Sequence, residues 1–129
     1  MLQKSFYTLL RIDTKAEEEV LKKFHTSVAF IPSHPIFAGH FPGNPVVPGV
    51  CQVEMIREIA MEILKKPLFL GKSDNIKFLS MINPMIHQVL DIDLDLKTKS
   101  DHEYDVAAVF RSEEVIFLKF KGTFQTEKY

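Results

Sequence analysis

One segment of the sequence has the apolar spacing of a long α-helix, while most of the remaining chain has the patterns of β-strands. Between residues 50 and 65, apolar side chains recur every three or four positions, which predicts a helix with a broad apolar face. That face consists of Val50, Val53, Ile56, Ile59, Ala60, Ile63 and Leu64. Such a helix must be buried against a sheet. Its apolar face spans more than half of its circumference, which is more than one small sheet covers. The pattern therefore predicts an α+β fold and dimerisation over the rest of the helix.

Strand patterns flank this helix on both sides. Two strands are expected before it, at residues 5–12 and 24–31, and residues 13–23 between them are polar and indicate a turn or a short helical segment. Phe6, Leu10 and Ile12 should share one face of the first strand. Four strands are expected after the helix, at residues 73–82, 86–100, 102–112 and 114–126. Consecutive late strands should pair as an antiparallel meander, which predicts an antiparallel sheet wrapped around one long central helix.

Composition limits the possible functions. The chain has 129 residues, which predicts a single domain over 1–129. Its 16 basic and 17 acidic residues give a net charge of −1, so neither nucleic acid nor an anionic membrane is an expected partner. No apolar run reaches the roughly 18 residues of a membrane span, and no signal peptide is evident. The single cysteine, Cys51, excludes an internal disulfide and fits the cytoplasm.

The segment before the helix, Gly39–Glu54, reads GHFPGNPVVPGVCQVE and contains the candidate chemistry. Its prolines stiffen the loop, and Gly49 lets a ligand approach the backbone at the helix start. Backbone N–H groups there could hold a carbonyl oxygen as it becomes an enolate. His40 is a candidate base. Glu54 lies at the edge of the apolar arc, where a carboxyl group with a raised pKa can act as a general acid.

HFPGNPVVPGVCQVE resembles the active-site signature of the 3-hydroxyacyl-[acyl-carrier-protein] dehydratases of fatty acid synthesis, H-F-P-G-x-P-x-x-P-G-V-x-x-x-E. The resemblance implies a hotdog fold and a hydro-lyase that converts a 3-hydroxyacyl thioester on acyl carrier protein into a trans-2-enoyl thioester, without metal or redox cofactor. It implies catalysis by His40 and Glu54 from opposite subunits of a dimer, with a trimer of dimers left open. It places substrate contacts at Gly49, Val46, Phe41, Pro48 and Val50, where the Gly49 N–H binds the thioester carbonyl and the Val46 carbonyl orients His40.

The sequence departs from this family just after the glutamate. The family usually reads E-A-x-A-Q, whereas this chain has Arg57 at the second small position and Glu58 in place of the glutamine. Arg57 is expected to pair with Glu54 on the same side of the helix and to lower its pKa. Pairing with Glu58 of a partner subunit is the alternative.

Two other functions remain open at this stage. A hotdog thioesterase would act on similar thioesters, and a catalytically impaired hotdog subunit would bind acyl chains or support a partner dehydratase. The other histidines show no metal-ligand spacing and are expected to be structural or exposed. The acidic residues Asp91, Asp93 and Asp95 alternate along one strand and indicate a solvated face rather than a calcium loop.

Overall fold

The computed structural model describes residues 1–39 and 43–127, and this part of the chain forms six strands and two helices. The strands are β1 (Tyr7–Glu17), β2 (Leu21–Phe30), β3 (Phe69–Phe78), β4 (Val89–Ser100), β5 (Glu103–Arg111) and β6 (Ile116–Gln125), and the helices are α1 (Pro35–Gly39) and α2 (Gly49–Leu64). The strands form one sheet in the order β1-β2-β4-β5-β6-β3, and all neighbours are antiparallel. The predicted α+β architecture is confirmed.

Helix α2 occupies the predicted position to within one residue and supplies the centre of the core. Met55, Ile56 and Ile59 are completely buried and belong to the same apolar cluster as alternate residues of the strands, such as Ile92 and Phe110. Burying an aliphatic side chain of this size contributes about 1.5–3 kcal/mol, so the apolar face of α2 fixes the helix to the sheet.

The first hairpin differs from the sequence expectation. Strand β1 continues to Glu17 and β2 begins at Leu21, so most of the segment predicted as a turn or a short helical segment is strand. The pairing of β1 with β2 extends to Glu17 opposite Lys22, and this polar edge ribbon is held by its partner strand rather than by an apolar pattern of its own. A bulge between Leu9 and Arg11 leaves Leu10 52% exposed, so the predicted common face with Phe6 is wrong.

Strand β3 also differs from its prediction. It runs from Phe69 to Phe78 instead of 73–82, and it pairs with β6 at the edge of the sheet rather than with the next strand, β4. The other late strands, β4, β5 and β6, do form the expected meander, and the turn after β5 is closed by a hydrogen bond from Ser112 N to Val115 O of 2.9 Å. Pairing along the chain therefore predicts three of the four late strands. Within residues 1–39 and 43–127, no helix has the length and apolar content to cross a membrane.

Candidate active site

The start of helix α2 is held by a hydrogen bond between the loop before it and the segment after β3. The Val47 N–H donates to the Ile82 carbonyl at 2.8 Å, and Pro48, at φ −61° and ψ 146°, turns the chain into the helix. No side chain caps this end. Among the described residues, the N–H groups of Gly49 and Val50 donate no hydrogen bond, as expected for the first turn of a helix. Two donors and the positive end of the helix dipole are therefore available to an oxygen atom.

A pocket of about 390 Å³ opens at this helix start. It is lined by Val46, Val47, Pro48, Gly49, Gln52, Phe78 and Met81. Glycine leaves room for the Phe78 ring at its base, because a Cβ atom on Gly49 would lie 2.7 Å from Cζ of that ring. The pocket thus combines apolar walls with backbone donors, which suits a carbonyl group joined to an acyl chain.

Gln52 is a polar residue of this pocket that the sequence analysis missed. It is only 3% exposed, and its Nε2 donates to the Val47 carbonyl at 3.2 Å. Its Oε1 atom is buried and has no hydrogen-bond partner among the described residues. The signal in the sequence is a glutamine at one of the variable positions of the signature, in the otherwise apolar first turn of the helix.

Glu54 lies a little over one turn beyond Gly49 and is half-buried. Its Oε2 accepts a hydrogen bond of 2.8 Å from Arg57 NH1. Arg57 is itself fixed, because its Nε donates to the Leu68 carbonyl at 2.7 Å and its guanidinium lies 5.8 Å from the centre of the Phe69 ring. The predicted Arg57–Glu54 pair is therefore present within one chain.

Glu58, one turn further along α2, is 1% exposed and accepts three hydrogen bonds. The donors are the Leu2 N–H at 2.7 Å, the Gln3 N–H at 2.8 Å and the Tyr7 hydroxyl at 3.1 Å. Burial raises the pKa of Glu58, but its hydrogen bonds with Glu54 and these donors outweigh burial and hold the pKa below its usual range. No pattern in the sequence indicates this arrangement, because the donors come from residues 2, 3 and 7, far from α2 along the chain.

The pKa of Glu54 is raised, as its place at the edge of the apolar arc predicts and against the lowering expected from Arg57. Burial and the hydrogen bond with Glu58 raise the pKa of Glu54, and together they outweigh the Arg57 guanidinium, which acts to lower it. Arg57 acts in the expected direction, but the expectation that it would leave Glu54 with a lowered pKa is wrong. Burial is the largest cause of the rise, and Glu58, considered from the sequence only as a partner for Arg57 across a dimer, adds to it.

The structure brings together some of the predicted site residues. Val46, Pro48 and Gly49 line the pocket, and Val50 beside them is 77% exposed. Glu54 lies on the same helix but is not a wall of this pocket. The predicted base His40 and the predicted contact Phe41 lie outside the described residues.

Other polar groups are structural in character. Burial and the nearby Glu54 raise the pKa of Cys51, which keeps its thiol protonated. On a solvated face of the sheet, His25 lies 3.0 Å from Asp93, which also accepts a hydrogen bond of 2.7 Å from Arg111 Nε. Within the described residues, no three His, Cys, Asp or Glu side chains come together in a group that could hold a metal ion.

Comparison with solved structures supports the fold. An uncharacterised protein from Erwinia carotovora superposes with a TM-score of 0.66 at 22% identity, covering 92% of this chain and 93% of the other. The dehydratase heterocomplex ApeI:P from Xenorhabdus doucetiae superposes with a TM-score of 0.63 at 17% identity, covering 90% of this chain and 99% of the other. A six-stranded antiparallel sheet around one central helix defines a hotdog-fold protein.

Sequence comparison then defines the family. The chain belongs to the ApeI-like dehydratase family, described as ApeI dehydratase, whose model matches residues 14–117. It is also similar to two proteins named 3-hydroxyacyl-[acyl-carrier-protein] dehydratase FabZ. The one from Caldicellulosiruptor saccharolyticus is 38% identical over 60% of this chain and 61% of the relative, and the one from Oenococcus oeni is 34% identical over 69% of each. The predicted relationship to hydro-lyases of this kind is confirmed.

Proposed function

We propose that this protein removes water from a 3-hydroxyacyl thioester carried on acyl carrier protein and forms the trans-2-enoyl thioester. The observation that carries the proposal is the start of α2, where the N–H groups of Gly49 and Val50 donate to no described residue and adjoin an apolar pocket. A thioester has the matching shape, with a carbonyl oxygen for the donors and an acyl chain for the apolar walls. The carrier is proposed from the names of the FabZ relatives.

The reaction needs one base and one acid. Hydrogen bonding at Gly49 polarises the thioester carbonyl and makes the C2 proton more acidic. His40 takes this proton as the C2=C3 double bond forms. The C3–O bond breaks, and Glu54 gives its proton to the departing hydroxyl group, which leaves as water. The proton held by His40 then returns to Glu54 through solvent, so the enzyme ends the cycle unchanged.

The raised pKa of Glu54 supports its role as the acid. A carboxyl group with an ordinary pKa near 4.3 is almost fully ionised at neutral pH, whereas a raised pKa keeps more of it protonated. This observation favours an active dehydratase over the impaired subunit considered from the sequence. The Arg57–Glu54 contact was the argument for impairment, and its effect on the pKa is outweighed.

A homodimer completes the proposed site, with His40 of the partner subunit facing Glu54. Its support is a group of exposed apolar side chains at and after the end of β3, next to the pocket, consisting of Phe78, Leu79, Met81, Met85 and Ile86. These side chains are 51–75% exposed and close together in the sequence. A group of exposed apolar side chains, unlike a single one, indicates an interaction surface. Light scattering of the purified protein tests the dimer. If the protein is a monomer and becomes active only with a second hotdog protein, the active form is a heterocomplex instead of a homodimer.

The test of the reaction is enoyl-thioester absorbance with 3-hydroxyacyl thioesters of several chain lengths on acyl carrier protein. We expect product with the natural chain and a loss of about 10²–10⁴-fold for Glu54→Gln, the range for removal of a general acid. Glu62→Gln is the matched control, because Glu62 is an exposed glutamate two turns further along the same helix. Release of free thiol instead of enoyl product would assign the protein to the thioesterases. A folded protein that is inert on every chain length would contradict both.

A further inference from the structure

Two carboxyl groups lie one turn apart on α2, within hydrogen-bonding reach of each other, and their surroundings differ sharply. Glu58 is 1% exposed and accepts hydrogen bonds from three described donors, whereas the Glu54 side chain is 32% exposed and has the Arg57 guanidinium beside it. A hydrogen bond between two carboxyl groups requires one proton, since two carboxylates can only accept. At this distance the two groups titrate as a pair rather than separately.

The donors decide which carboxyl group is ionised. Two backbone N–H groups and the Tyr7 hydroxyl point at the Glu58 oxygens, at distances of 2.7, 2.8 and 3.1 Å. Burial and Glu58 raise the pKa of Tyr7, so this hydroxyl stays a donor throughout the useful pH range. Glu58 is therefore held as the carboxylate, and the shared proton is left with Glu54.

We propose that Glu58 is a positioning residue that keeps the general acid Glu54 protonated and fixes the position of its carboxyl group. This inference rests on the proposed function, since it assigns a role to a neighbour of the proposed acid. Arg57 has the opposite effect to Glu58 on the pKa of Glu54, because its positive charge favours the ionised carboxylate. When Glu54 has given up its proton, two carboxylates face each other, and the guanidinium 2.8 Å from Glu54 then stabilises the new charge.

The groups that face this pair are known on every side that the structure describes. On α2 they are Arg57 and, toward the helix start, Cys51, whose pKa is raised by burial and by Glu54. On β1 the facing group is Tyr7, which also experiences the charge of Glu62. The backbone N–H groups of residues 2 and 3 complete the surroundings of Glu58.

The experiment is the pH dependence of kcat/KM in the natural protein, Glu58→Gln, and Glu58→Gln combined with Arg57→Met. Glutamine has the size of glutamate but cannot share a proton as a carboxylate does. In the natural protein kcat/KM should fall at high pH as Glu54 loses its proton. We expect Glu58→Gln to shift this fall to lower pH by about one unit or more, so that kcat/KM at pH values above it drops about tenfold. Removal of the Arg57 charge in the double variant should move the fall in kcat/KM back to higher pH, because Arg57 then no longer favours ionised Glu54.

That reversal separates positioning from a structural role, since a second substitution at a damaged site would not move the fall in kcat/KM back to higher pH. Thermal melting checks folding, because Glu58→Gln also weakens the contacts with residues 2 and 3. A ¹³C-carboxyl titration by NMR of the natural protein provides a readout without substrate, and one glutamate of α2 should titrate well above the others. An active natural protein whose pH profile is unchanged by Glu58→Gln would overturn the inference alone. An inert natural protein that still shows the raised carboxyl titration would overturn the proposed function and leave the shared proton in place.

Discussion

Substitution of Gly49 by alanine tests whether the start of α2 binds the thioester carbonyl. The new Cβ would lie 2.7 Å from Phe78 Cζ and 3.0 Å from its Cε1, closer than the 3.4 Å at which ordinary contact begins. The ring would have to yield by about 0.7 Å, and it can do so because Phe78 is 54% exposed. Alanine is also preferred to glycine in a helix, so the free energy of unfolding should change by less than about 1 kcal/mol.

Activity should respond much more strongly than stability. The methyl group and the displaced ring occupy the space in which the carbonyl oxygen would approach the Gly49 N–H. Loss of one such donor costs about 10²–10³ in kcat, so we expect Gly49→Ala to lower enoyl-thioester formation by that factor. Urea denaturation of the same preparation supplies the stability control.

Phe78→Ala, alone and combined with Gly49→Ala, shows which atoms obstruct the site. If the double variant recovers activity, the displaced ring was the obstruction, and if it does not, the methyl group blocks the backbone donor directly. A Gly49→Ala protein with kcat/KM within twofold of the natural chain would refute the reasoning, because the carbonyl would then be bound elsewhere.

Three further predictions concern pH, reactivity and stability. Burial raises the pKa of Asp93, but its hydrogen bonds with Arg111 and His25 and the charges of these groups together outweigh burial and lower the pKa. This carboxylate therefore stabilises the fold above about pH 4, and the contribution disappears as the pH falls through the folded pKa. Asp93→Asn should therefore lower Tm at pH 7 and have little effect near pH 2, whereas an equal loss at both pH values would contradict the charge-based account. Because burial and Glu54 raise the pKa of Cys51, iodoacetamide at pH 7.5 should label it slowly by mass spectrometry until denaturant is added, and rapid native labelling would count against this. Ile59→Ala should lower the free energy of unfolding by about 2–5 kcal/mol in urea titrations, and a loss below about 1 kcal/mol would show that Ile59 is not a central core residue.

Local patterns predicted the parts of the fold that depend on local physics. The helix expected at 50–65 is found at Gly49–Leu64, because the 3.6-residue spacing of its apolar face matches the surface it buries. Strand β4 follows from strict alternation, since every second residue from Leu90 to Leu96 is buried. The loop before α2 was recognised from its glycines, prolines and histidine, although His40 itself lies outside the described residues.

Edge strands were predicted less well, for a physical reason. Strand β1 is exposed along most of its length and β3 carries little buried surface, so neither has the alternation that identifies a half-buried strand. Their limits are set by hydrogen bonds to the neighbouring strands β2 and β6. The pairing of β3 with β6 could not be predicted from local patterns, because the order of strands in the sheet depends on contacts between distant parts of the chain.

The sequence by itself determined the fold class, the central helix and the chemical identity of the proposed acid. Only the tertiary structure decided the strength of that acid. Arg57 is three residues from Glu54 and suggested a lowered pKa, but the groups that ionise Glu58 are 51 to 56 residues away along the chain. A pKa depends on burial and on all nearby charges and donors, and the fold alone brings residues 2, 3 and 7 against α2.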